Sequence, residues 1–104
     1  MRIPTNKRAS RMHIGVGFYR REEEWEWLKA ISIDREALHA SYDEWQRDFE
    51  ARLSDLQRQG VKAKKVEVEV MELLAWCEQQ ARPVCAETRA QFVAVKLQEE
   101  DVAK

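Results

Sequence analysis

The sequence predicts a helix-dominated α+β domain: four or five helices packed with a small two-stranded sheet. Three observations carry this. Tyr42, Trp45, Phe49, Leu53 and Leu56 recur at steps of three and four, which lines one face of a helix. Val66, Val68 and Val70 alternate with Lys65, Glu67 and Glu69, which is the period of a strand. Met12, Ile14, Val16 and Phe18 alternate with His13, Gly15, Gly17 and Tyr19, a second strand pattern. A lone strand leaves its backbone groups unpaired, so the two are expected to pair. The alternative is an all-helical protomer whose 65–70 strand pairs only across a dimer.

Residues 1–11 lack periodicity and are expected to form a flexible basic tail, with 12–104 a single compact domain. The two glycines of the 12–19 strand weaken that pattern, or mark a place where another backbone lies close. Arg20 to Ile31 reads as a first helix, its start suited by Glu22 to Glu24. Trp25 and Leu28 share its apolar stripe with Ile31 or Ser32. Trp27 lies about 200° away from Trp25, so the two cannot face the same side. Asp34 is positioned to cap a single turn over Arg35 to Ala40, with Ala37 and Leu38 inward.

The central helix, 42–59, has the fullest set of signals. Ser41 and Glu44 form a capping box, Asp43 and Glu44 suit the helix start, Arg58 suits its end, and Gly60 supplies the stop. The other elements are expected to dry themselves on its stripe. The 65–70 strand runs into a helix over roughly 70–80, with Leu73, Leu74 and Cys77 at helical spacing, and Pro83 prevents its continuation. The last helix is expected over 86–99, with Ala86, Ala90, Val93 and Leu97 inward. No internal repeat is visible in the residues.

A chain of 104 residues is the size of one domain and long enough for a single core. No apolar run reaches the ~20 residues a membrane span needs, and no secretory leader is recognisable, so a cytoplasmic protein with reduced thiols is expected. Charge is unevenly spread: Arg2, Lys7, Arg8, Arg11, Arg20 and Arg21 precede all 19 acidic residues. Such a segment suits sequence-blind phosphate binding, and these six are the candidate nucleic-acid contacts.

Catalytic chemistry finds little support. Cys77 and Cys85 are eight apart and distant in sequence from His13 and His39, so no metal site is expected. The acids fall on faces expected to be solvated. Gly15-Val16-Gly17 lacks the third glycine of a dinucleotide loop. Cys85, at the expected start of the last helix, is a candidate reactive thiol, whereas Cys77 reads as core. No catalytic residue and no cofactor is assigned. The leading expectation is a non-catalytic protein-interaction module that self-associates, with Trp25, Trp27 and Trp76 as candidate interface aromatics. A small nucleic-acid-binding or regulatory protein is the alternative.

The order of signals resembles a group of small uncharacterised bacterial proteins. The matching features are Phe18-Tyr19 with Trp25, Ser41 to Trp45, Val66 to Val68 leading into Leu74 to Cys77, and Arg89 with Phe92. The resemblance implies a bacterial source and a compact single domain, and no activity.

Overall fold

A computed structural model describes residues 13–103. Strand β1 (His13–Phe18) leads into helix α1 (Glu22–Ile31), a 3-10 turn (Arg35–Ala37) and helix α2 (Tyr42–Arg58). Strand β2 (Lys62–Glu67), helix α3 (Val70–Gln79) and helix α4 (Ala86–Ala103) follow. Met12, expected in the first strand, lies outside the described residues, as does the expected basic tail.

The expected sheet forms within the chain, and its strands are parallel, with His13 beside Lys62 and Phe18 beside Glu67. The direction follows from α2. Its first turns lie beside the end of β1, with the Trp45 and Phe18 rings 5.9 Å apart. The helix then runs back along the strand before the chain turns. Ser41 caps the start of α2, accepting from the Glu44 N–H at 3.1 Å, without a return bond from the Glu44 carboxylate. Gly60, at φ +86°, ends it in the left-handed conformation that spares glycine a Cβ clash. The chain therefore re-enters the sheet at the His13 end.

Neighbouring residues of parallel strands share a face. Gly15, Gly17, Lys64 and Val66 look toward α4, and Val16, Phe18, Lys65 and Glu67 toward α2. The sheet is thus the middle of three layers. The sheet meets the α2 stripe as expected, but through Phe18 and Lys65: Val66, and Val68 just past the end of β2, are buried on the α4 side. The Lys65 Nζ lies 4.8 Å from the Phe18 ring centre and 3.6 Å from Glu50. A long aliphatic stem with a charged tip suits that half-wet position.

The glycines of β1 form the seat of α4. A Cβ on Gly15 would lie 3.0 Å from both Val66 Cγ2 and Val93 Cγ1, and one on Gly17 3.1 Å from Val93 Cγ2. The glycines do mark a close approach, but it is the side chains of Val66 and of Val93 on α4, not another backbone, that come near. Gly15→Val is therefore expected to overpack this seat and cost about 1–3 kcal/mol, measured by urea denaturation.

Three further expectations change. Ala86 and Ala90, read as inward, are exposed. Val93 and Leu97 are buried as expected, and Thr88 and Phe92 complete the inner face of α4 in place of the alanines. Asp34 makes no cap bond, and Ala37 is exposed on the 3-10 turn while Leu38 is half-buried. Glu24, placed on a wet face by its neighbours, is buried: one carboxylate oxygen accepts from the Val70 N–H at 2.8 Å and the other from Arg21 at 2.9 Å. It caps α3 from another helix, which sequence spacing cannot reveal.

The architecture also repeats where the residues do not. Each half is a strand, a helix of 10 residues and a long helix of 17 or 18. The long helices lie on opposite faces of the sheet, the arrangement a two-fold axis along the strands produces. The eighth and twelfth residues of each, Phe49 and Leu53 or Val93 and Leu97, are buried.

Candidate functional site: the open edge of the sheet

The Phe18 carbonyl accepts from the Val68 N–H at 2.9 Å, so it points toward β2. Backbone groups alternate sides along a strand, which aims the N–H and C=O of Gly15 and Gly17 away from β2. Among the described residues nothing pairs with them. The two edges of this sheet differ in kind. β2 carries Lys62, Lys64 and Lys65, the residue type that commonly guards an edge against pairing, whereas β1 reads HIGVGF with neither lysine nor proline.

A groove of about 440 Å³ runs along the bare edge. Its floor is Ile14 to Gly17, one wall is Trp45, Phe49 and Leu56 of α2, and the other is Ala90 and Val93 of α4. Leu38 and His39 close the end near Tyr19. Two bonds hold that end wall: Trp25 Nε1 donates to the His39 carbonyl at 3.2 Å, and Lys29 Nζ to that of Ala40 at 2.7 Å.

Two polar groups face this end of the groove. Tyr19 is 6% exposed and lines the groove, and its hydroxyl has no hydrogen-bond partner among the described residues. Burial pushes its phenol up to about 12, partly offset by the nearby Arg89 guanidinium, so it remains a donor at any ordinary pH. Arg89 is bidentate to Asp34, at 2.9 and 2.8 Å, and also donates to Ser32 Oγ at 3.1 Å. Asp34 in turn accepts from the Ala86 N–H at 3.2 Å, which ties the loop after α1 to the start of α4.

The sequence-selected residues scatter. Trp25 is buried in the core, stacked on Trp45 at 5.2 Å. Trp76 is half-buried against Phe92 at 5.6 Å, so neither offers a free interface ring. Trp27 is 47% exposed and is the indole left at the surface, beside Glu22, Glu23 and Glu26. Arg20 pairs with Glu67 at 3.3 Å and Arg21 with Glu24 at 2.9 Å, while Arg2, Lys7, Arg8 and Arg11 lie outside the described residues. Cys77 is buried and Cys85 half-buried, both free thiols. Hydrogen bonds from Thr88, backbone first, hold the Cys85 thiol below its ordinary value.

Among the described residues no group of three His, Cys, Asp or Glu side chains converges as a metal site, and no helix is long and apolar enough to cross a membrane. The groove escaped the sequence reading because its members span residues 14 to 93. The one signal for it was the unguarded, glycine-bearing strand. No protein-family model, curated protein or solved structure matches the chain, so its function is argued from this geometry.

The Asp34–Arg89 pair gives a signed pH prediction. Arg89 holds the Asp34 carboxyl below its ordinary 3.8, chiefly through the hydrogen bonds it donates. A folded-state value below the unfolded one adds stability that is complete above 3.8 and is lost as pH falls through the depressed value. Asp34→Asn is expected to cost about 2 kcal/mol at pH 7, with the gap to wild type narrowing on acidification, as read by thermal melts at a series of pH values.

Proposed function

We propose that the chain is a non-catalytic protein-interaction module that self-associates, with the open edge of β1 as its working surface. The observation that carries this is the pair of outward-facing glycine peptide units, unpaired among the described residues, at the floor of an apolar groove. A strand edge is a template for another strand, and a groove with apolar walls on both faces accepts alternate side chains of that strand. Both cysteines are free thiols, which suits the reducing cytoplasm in which we place the protein.

The nucleic-acid alternative draws less from the fold. Of its six cations, Arg20 and Arg21 are engaged with Glu67 and Glu24, and the surface around α1 is acidic. A thiol-dependent reaction at Cys85 has Thr88 beside the sulfur, and Thr88 is no base.

Sedimentation equilibrium over a range of concentrations tests the proposal. A particle of twice 12.3 kDa forming as concentration rises is expected. A monomer up to about 1 mM, where an association free energy near −4 kcal/mol already shows, contradicts it.

A further inference from the structure

We infer that two copies join through β1 edges in one specific register: antiparallel, centred on Val16, with the two α4 helices meeting along a ridge of alanines. This rests on the self-association proposed above and assigns its geometry. The register follows from which peptide groups are unpaired. Gly15 and Gly17 both aim their N–H and C=O outward. Across a two-fold axis at Val16, Gly15 faces Gly17 of the second copy and Gly17 faces its Gly15. Each facing couple exchanges two hydrogen bonds, and Val16 stands opposite Val16 as the close, non-hydrogen-bonded pair between them. The surface is thus self-complementary, as a closed dimer requires. Neither glycine puts a side chain beside the peptide groups to be paired.

The helices decide whether such strands can meet. The joined sheet keeps α4 and its copy on the same face, over strands about 4.8 Å apart. Helices so placed must pack with axes about 8 Å apart, which large side chains between them would prevent. Ala86, Ala90 and Ala94 are all exposed and recur every fourth residue, so they form one ridge of α4. Ala90 lines the groove, which places that ridge over the β1 edge. On the other face the half-buried Val16 of each copy closes against its mate, below the wall of Trp45 and Phe49.

Edge chemistry favours a second copy over the other occupants: its β1 offers the same two outward glycine peptide units, with no lysine or proline to guard them. The β2 edge, with its lysines, is the wrong face for a continuous stack of copies, so growth stops at two.

Two variants test the register on the full chain. In a Cys85→Ser background, Val16→Cys places thiols at the closest cross-strand position, and Lys65→Cys serves as a control on β2. Under mild oxidation the first is expected to form a covalent dimer on a non-reducing gel, and the second to remain single. Ala94→Lys changes an exposed residue, so the far-ultraviolet circular dichroism should be unchanged while dimer affinity falls at least tenfold in sedimentation. A dimer that forms normally yet leaves Val16→Cys uncrosslinked and ignores Ala94→Lys overturns this register and leaves self-association standing. A monomer at all concentrations removes both.

Discussion

Trp45 is the contact on which the rest of this fold depends. Its indole lies within 6 Å, centre to centre, of the rings of Phe18, Tyr19, Trp25, Tyr42 and Phe49. Those rings come from β1, the segment after it, α1 and α2 itself. One side chain therefore fixes where the first helix, the first strand and the central helix meet. Tyr42 adds a directional bond, its hydroxyl donating to the Tyr19 carbonyl at 2.6 Å. Aromatic pairs of this kind each add about 0.5–1.5 kcal/mol beyond the area they bury. The α2 layer sits at its height over the sheet because these rings fill the space between.

The opposite face is built on the contrary principle, with two glycines on β1. Bare glycines let Val93 and Leu97 of α4 descend onto the strand. The same glycines leave their outward peptide groups unscreened. The edge and the helix seat are thus one feature seen from two directions.

Elements with local causes were legible in the residues. The stripe of α2, its Ser41 cap and its Gly60 stop are written within 20 positions, and the strand pairing followed from two alternating runs. What stayed hidden was whatever joins distant positions. Val66 and Val68 alternate as any half-buried strand does, and alternation cannot say which helix they will meet. Glu24 looks like one acid in a run of three until α3 arrives to need a cap. Arg89 and Asp34 lie 55 residues apart, each an ordinary surface charge by its neighbours. Ala86 and Ala90 fit an inward stripe by period, but Phe92 and Thr88 rotate that stripe toward α3 and the preceding loop. The site shares this property: its floor was visible as a glycine-bearing strand, its walls only after folding.

The most direct measurement of the central claim is the urea denaturation of Trp45→Ala beside Trp27→Ala, two deletions of the same indole. Trp45 is 8% exposed at the centre of the ring cluster, and Trp27 is 47% exposed on α1. The account predicts a loss of about 3–5 kcal/mol for Trp45→Ala and under about 1 kcal/mol for Trp27→Ala. Equal and small losses would contradict it, since the layers would then be held in place by something other than these rings.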